Sequence, residues 1–265
     1  MLTRCAVLGK PIGHSLSPVM HRAAYAHLGL SDWTYEAVEV DEDELAGFLA
    51  GPPWRGLSLT MPLKKVGLAL ADEVSDRAAA VGALNTLVFA DDGASFGDNT
   101  DIPGAVGALR EAGVDRVGSA TIIGAGATAM SLTAAMQELG LADLTIVVRD
   151  PSRAEELARF AAVRVAVCVL GAPTPAVDLL VSTVPTAAVA DDAAVLVGSA
   201  RAVFDAIYDP WPTTLAAAAL ETGVPVVSGL DLLAHQAALQ VALMTGATVP
   251  VHILRDAALE AIASR

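Results

Sequence analysis

Two rhythms of apolar and polar positions alternate along this chain. Short apolar runs bounded by Gly, Pro, Asn or Asp read as strands, and apolar positions spaced by three and four read as helices. A first buried strand is predicted over residues 4–9, ending in the loop Gly9-Lys10-Pro11-Ile12-Gly13-His14-Ser15-Leu16-Ser17-Pro18. A helix over 18–28 follows, with Val19, Met20, Ala23, Ala24 and Leu28 on the helical period. The pattern then predicts a strand over 33–40, an acidic-started helix over 41–50 and a strand over 56–60. Thr60-Met61-Pro62-Leu63-Lys64-Lys65 opens the next helix, and residues 82–89 and 94–97 read as a hairpin turning at Asp91-Asp92-Gly93. This alternation predicts a largely parallel sheet.

After residue 101 the alternation becomes more regular. A helix over 102–112 leads to a strand over 117–123, the turn Gly124-Ala125-Gly126-Ala127-Thr128-Ala129 and a helix to about 139. A strand over 143–148, a helix over 152–161 and strands over 163–169, 178–183 and 201–206 continue the series. This is the layout of a dinucleotide-binding domain. Two helices, 229–246 and 251–263, close the chain. No linker, repeat or low-complexity tract interrupts it.

Composition narrows the class. The 265 residues suit one large domain or two modest ones, and 54% are apolar, which fits a covered α/β protein and not a disordered one. The formal net charge of −14 gives no global positive field, so nucleic acid and anionic membrane are not expected partners. Cys5 and Cys168 stand far apart without metal-type or redox-type spacing, which predicts a reduced, cytoplasmic protein. The chain enters its first strand without a signal-peptide layout, and no uncharged apolar run reaches spanning length.

Candidate chemistry gathers at Gly97-Asp98-Asn99-Thr100-Asp101-Ile102-Pro103-Gly104. Asp101 is either an N-cap, with Pro103 in the first turn, or a catalytic carboxylate at a domain junction. Lys64 is either a solvated lysine or, oriented by Asp101, half of a proton-transferring pair for carbonyl reduction. Ser17 can cap the helix begun at Pro18, and Asn85 before Thr86 has the character of a turn residue. In the glycine-rich turn, Gly124 permits a tight bend and Gly126 lets backbone approach a pyrophosphate at the helix N-terminus. The third glycine of that fingerprint is absent, and Ala127, Thr128 and Ala129 stand there instead. Beyond the following strand, Arg149 and Arg153 are either a clamp for the extra phosphate of NADP or a solvated helix start. Asp150, just before Pro151, reads as a helix cap. His21 and His27 lie six apart on one helix, do not share a face, and no metal site is expected.

Five stretches in the same order resemble the shikimate dehydrogenase family. They are Pro11-Ile12-Gly13-His14-Ser15-Leu16-Ser17-Pro18, Thr60-Met61-Pro62-Leu63-Lys64, Gly82-Ala83-Leu84-Asn85-Thr86, Gly97-Asp98-Asn99-Thr100-Asp101 and Gly229-Leu230-Asp231-Leu232-Leu233-Ala234-His235-Gln236. The resemblance implies an α/β fold with two domains around a cleft. Residues 1–101 with 236–265 would form the N-terminal α/β substrate domain, and 102–235 a Rossmann-type dinucleotide-binding domain. It further implies reversible NADPH-dependent reduction of 3-dehydroshikimate to shikimate, a step toward chorismate and the aromatic amino acids.

By that resemblance Lys64 and Asp101 are the catalytic pair. Ser15, Ser17 and Tyr208 meet the substrate carboxylate, and Thr60, Asn85, Asp101 and Gln236 meet its ring hydroxyls. Gly124, Gly126, Ala127, Thr128, Arg149 and Arg153 hold NADP, with Thr183 and Gly229 on the nicotinamide side. Shikimate and 3-dehydroshikimate are the implied small-molecule partners, in a protein compatible with a homodimer. The chain departs from the family in two places. Val148 stands where Asn usually precedes the phosphate-binding Arg, and Ser58-Leu59 replaces the commoner Asn-Val. The rival readings are a quinate/shikimate enzyme using NAD and a catalytically silent ligand or redox sensor on the same fold.

Overall fold

A computed structural model describes residues 2–265. The chain divides into two compact units, Met1–Gly104 with Leu233–Arg265, and Ala105–Leu232.

The first unit holds strands β1 (Thr3–Gly9), β2 (Trp33–Glu39), β3 (Gly56–Leu59), β4 (Glu73–Val74), β5 (Thr86–Phe89) and β6 (Ser95–Asp98). They form one sheet in the order β2-β1-β3-β5-β6-β4. β1 runs parallel to β2 and β3, β5 is antiparallel to β3 and β6, and β4 is parallel to β6. The sheet is therefore mixed, because the hairpin β5–β6 inserts antiparallel pairs into the predicted parallel set. Its helices are α1 (Ser17–His27), α2 (Leu45–Leu49), α3 (Lys64–Leu70) and α4 (Asp76–Val81). Helix α5 (Asp101–Glu111) carries the chain out of this unit. One face of the sheet buries Ala6, Leu8, Leu57, Leu59 and Leu87 with Leu84 from the loop before β5, Leu63 at the N-cap of α3 and Leu45 from α2.

The second unit holds β7 (Ser119–Ile123), β8 (Asp143–Val148), β9 (Arg164–Val169), β10 (Val177–Ser182), β11 (Ala200–Asp205) and β12 (Val226–Ser228). Every pairing among them is parallel, in the order β12-β11-β10-β7-β8-β9. This is the doubly wound order of dinucleotide-binding sheets, whose strand order reverses between β7 and β10. The helices are α6 (Ala127–Glu138), α7 (Glu155–Phe160), α8 (Ala193–Gly198) and α9 (Thr214–Thr222). Helix α10 (Gly229–Thr245) returns the chain to the first unit, where α11 (Val251–Ala263) packs beside α1.

Some sequence expectations shift. The helix expected over 41–50 shrinks to α2, with a turn before it in which Glu44 accepts from the Asp41 amide at 2.8 Å. The helix expected over 152–161 begins as a 3-10 turn, Pro151–Ala154. Five labelled elements lie where none is predicted: β4, α4, α8, α9 and β12. Among the described residues no helix is long and apolar enough to cross a membrane.

Candidate active site

The first unit builds its site from loop ends and helix starts. At the end of β1 the Lys10 amide donates to the Met61 carbonyl at 3.0 Å, and the Thr60 amide donates to the Leu8 carbonyl at 2.9 Å. These bonds set the 10–17 loop beside the turn that opens α3. Ser15 and Ser17 are adjacent, with the Ser17 amide donating to Ser15 Oγ at 3.3 Å. The N-cap of α1 is Leu16, so Ser17 is the first helical residue and does not act as a cap. Beneath it, His21 Nδ1 donates to the Ser17 carbonyl at 2.9 Å. Burial pushes the His21 imidazole down to about 4.

Lys64 begins α3 and Asp101 begins α5. Lys64 Nζ lies 2.6 Å from Asp101 Oδ2, with both side chains largely buried. The other carboxylate oxygen accepts from Asn85 Nδ2 at 2.9 Å, and the same nitrogen reaches Gln236 Oε1 at 3.0 Å. Lys64, Asp101, Asn85 and Gln236 thus form one hydrogen-bonded set drawn from four sequence stretches. Asp101 turns its carboxylate toward these side chains, which removes the capping reading. Asn85 is 2% exposed and takes the Thr100 amide at 2.8 Å on Oδ1, so it is a buried bridge and not a turn residue.

Local chemistry explains how α5 starts there. Burial alone would raise the Asp98 carboxyl, but the Arg77 guanidinium and Ser75 hydroxyl together outweigh it and hold Asp98 below its ordinary value. Ser75 donates at 2.6 Å, Arg77 through two nitrogens, and the Asn99 amide at 2.8 Å. The segment leading into Asp101 is therefore pinned at its first residue. Gly104, one turn into α5, has its Cα against the backbone of Gln236, and a Cβ there would come within 2.9 Å of the Gln236 nitrogen. The missing side chain lets α10 bring Gln236 to Asn85.

In the second unit the site is built from backbone. Gly124 follows β7 with φ +104°, a left-handed conformation that favours glycine. A Cβ at Gly124 would overlap Thr183 Oγ1, which donates to the Ile123 carbonyl at 2.9 Å. Gly126 is the N-cap of α6, and Ala127 and Thr128 are its opening residues. Gly124, Val148, Arg149, Asp150, Arg153 and Val184 are among the residues lining an open cavity of about 850 Å³. Asp150 takes the amide of Ser152 at 3.0 Å and its hydroxyl at 2.9 Å, which is the capping role. Tyr208 lies half-buried in the loop after β11. Gly229 begins α10 against the Ala206 carbonyl, where a Cβ would clash.

Sequence reasoning missed several polar residues that hold the first site together. Asp98 and Thr100 were visible only as parts of a motif. Gln240 sits four residues after Gln236, one helical turn on, and that spacing was the available signal. Ser58, which the sequence marks only as a departure from the family, is 3% exposed and bonds both Tyr35 and Gln240.

An all-parallel doubly wound sheet, a left-handed glycine turn and a cavity carrying two arginines define a dinucleotide-binding α/β protein of the dehydrogenase kind. Residues 7–87 match the family model for the shikimate dehydrogenase substrate binding domain, and residues 229–259 that for the shikimate 5'-dehydrogenase C-terminal domain. The shikimate dehydrogenase (NADP(+)) of Thermus thermophilus is 36% identical, covering 98% of this chain and 99% of its own. The enzyme of the same name from Oleidesulfovibrio alaskensis is 35% identical over 97% of this chain and 95% of its own. Among solved structures, Mycobacterium tuberculosis shikimate dehydrogenase is 40% identical with a TM-score of 0.89, covering 97% of this chain and 99% of the other. A shikimate 5-dehydrogenase of Thermus thermophilus, solved in complex with NADP(H) and shikimate, is 34% identical with a TM-score of 0.85, covering 98% of this chain and 100% of the other. The chain belongs to the shikimate dehydrogenase family.

Proposed function

We propose that this protein catalyses the reversible NADPH-dependent reduction of 3-dehydroshikimate to shikimate. The observation that carries the proposal is the bonded set Lys64–Asp101–Asn85–Gln236. A polyhydroxylated ring needs donors and acceptors fixed before it arrives, because a site that satisfies each hydroxyl rejects analogues lacking one. In this reading residues 1–101 with 236–265 form the substrate-binding and catalytic domain, and 102–235 the NADP-binding domain.

The second unit fits NADP by the chemistry of its residues. Two guanidinium groups, Arg149 and Arg153, line the cavity that begins at Gly124, which suits a phosphate at one end of a dinucleotide. Val148 contributes no hydrogen bond there, so the phosphate selection rests on the arginines. Asp150 accepts both Ser152 bonds on Oδ1, which fixes its carboxylate in the capping role. Bound NADPH supplies the hydride, which is the difficult part of the chemistry.

The protein's own part is position and a proton. Ser15 and Ser17, with Tyr208, meet the substrate carboxylate, and Thr60, Asn85 and Gln236 meet its hydroxyls. Lys64 Nζ delivers the proton to the carbonyl oxygen as that oxygen gains negative charge, and Asp101 keeps Nζ aimed. In the reverse direction the same nitrogen takes the proton from the shikimate hydroxyl. Gly126, Ala127 and Thr128 present the start of α6 to the pyrophosphate. Thr183 and Gly229 lie along the nicotinamide side.

A four-way assay tests this, with shikimate or quinate as substrate and NADP or NAD as oxidant, followed at the reduced nicotinamide absorbance. Turnover confined to shikimate with NADP is expected. Comparable rates with quinate would widen the substrate range, and comparable rates with NAD would widen the cofactor range and remove the Arg149 selection. No turnover from folded protein that binds NADP would make it a sensor. The proposal includes a cytoplasmic protein, with Cys5 and Cys168 both free, and a homodimer. A solution mass near 27.0 kDa would remove the dimer.

A further inference from the structure

Behind the Lys64–Asp101 pair lies a second tier of buried polar side chains. Tyr35, Ser58 and Gln240 are at most 3% exposed. The Tyr35 hydroxyl lies 2.6 Å from Ser58 Oγ, which lies 2.9 Å from Gln240 Oε1. Gln240 Nε2 lies 3.2 Å from the Asn85 backbone carbonyl and 3.0 Å from Thr86 Oγ1.

The donors and acceptors of this tier admit one arrangement. A backbone carbonyl only accepts, so the end of Gln240 facing Asn85 is its NH2 group. The opposite end is then the carbonyl oxygen, which takes the Ser58 proton, and Ser58 is left to accept from Tyr35. On the other side Thr86 accepts from Gln240 and gives its own proton to Asn85 Oδ1, 2.9 Å away. The Thr100 amide points at the same oxygen. Asn85 therefore shows its NH2 group to Asp101 and Gln236. Reversing Gln240 would set two buried carbonyl oxygens against each other, an arrangement with no hydrogen bond to offset desolvation.

We infer that Gln240, oriented by Ser58 and Tyr35, is a positioning residue for the Lys64–Asp101 pair. It holds Asn85 by the backbone carbonyl and, through Thr86, by the side chain. The inference rests on the functional reading above, since the tier serves that pair. Gln236 and Gln240 share one face of α10 a turn apart, so one glutamine meets the ring hydroxyls and the next supports the residue beside it. The Asn85 carbonyl also accepts the Leu59 amide at 2.8 Å, so removing the Gln240 amide leaves it partnered.

The test measures shikimate oxidation by NADP in the wild type, Ser58→Ala, Gln240→Leu and the double variant. Gln240→Leu should lower kcat about five- to tenfold, the scale of one buried hydrogen bond, with the KM for NADP unchanged. Ser58→Ala should lower kcat by a smaller factor. The double variant should be no slower than Gln240→Leu alone, because Ser58 acts through Gln240. Wild-type kcat in both folded single variants, or losses that multiply in the double variant, would overturn the inference. If Gln240→Leu does not fold, Ser58→Ala decides: a lower kcat at constant NADP KM supports the inference, and an unchanged kcat overturns it. A wild type without turnover overturns the functional reading and this inference with it. Turnover in the wild type with silent variants overturns the inference alone.

Discussion

The two units organise their sites by opposite means. In the first, side chains hold one another: both oxygens of Asp101 are engaged, one by Lys64 and one by Asn85, with Gln236 tied to the same amide. In the second, backbone does the shaping: a left-handed Gly124, a β-strand end at Val148 and a helix start at Gly126 surround or adjoin one open cavity. The difference follows from what each must recognise. A ring bearing several hydroxyls is read by directional hydrogen bonds, which need fixed donors. A long charged cofactor is read by shape, backbone amides and a few cations. Substitutions in the first unit should therefore act on turnover, and those in the second on cofactor affinity.

Lys64→Ala gives the largest test of that division. It removes the nitrogen that moves the proton and leaves Asp101 Oδ2 without its partner at 2.6 Å. We expect kcat to fall by about 100-fold or more, with a change of only a few-fold in the KM for shikimate. A raised KM with wild-type kcat would make Lys64 a binding residue and would blur the contrast between the units.

Arg149→Ala tests the other side with a smaller effect. The NADP dissociation constant should rise about tenfold, as expected for loss of one charge-assisted contact, while NAD binding stays as it was. Titration calorimetry with each cofactor reads this directly. Equal losses for both would mean that Arg149 supports the cavity wall and does not select a phosphate.

The contrast also governs what the sequence could tell. The second unit was legible because its rule is local: strand, Gly-x-Gly, helix, strand, then Arg149. Asp150 was legible too, since Pro151 and Ser152 follow it in a capping pattern. In the first unit the motif residues Asn85, Asp101 and Gln236 were found, but their mutual bonds were not, because those residues are up to 151 positions apart. Local rules gave Asn85 to a turn, which its long-range bonds to Asp101 and Gln236 override, and Ser17 to a cap, a place that Leu16 takes because α1 starts at Ser17 itself. α9, Thr214–Thr222, was missed although Thr213 caps it and Gly223 ends it. Its Ala-rich stretch gives little contrast between faces. β12 has only three residues, Val226–Ser228, too few to show a period.

The smallest effect lies under Ser17 and concerns stability. His21 is fully buried, stacks on Tyr35 at 3.9 Å between ring centroids, and holds the Ser17 carbonyl through Nδ1. Burial lowers its pKa from 6.5 to about 4. Above pH 6.5 the ring is neutral in the folded and unfolded chain alike, and its contribution is intact. As pH falls, the unfolded chain takes up a proton that the folded chain refuses, so stability declines until the folded ring also titrates near 4. At about pH 5.5 the loss is on the order of 1 kcal/mol. His21→Phe keeps a ring against Tyr35 and removes the titration. Denaturant unfolding at a series of pH values should show a shallower decline between about pH 7 and about pH 5 for the variant, from a lower starting stability because the bond to Ser17 is gone. Parallel declines would show that His21 reaches water when protonated, and that the floor beneath Ser17 is less closed than its burial indicates.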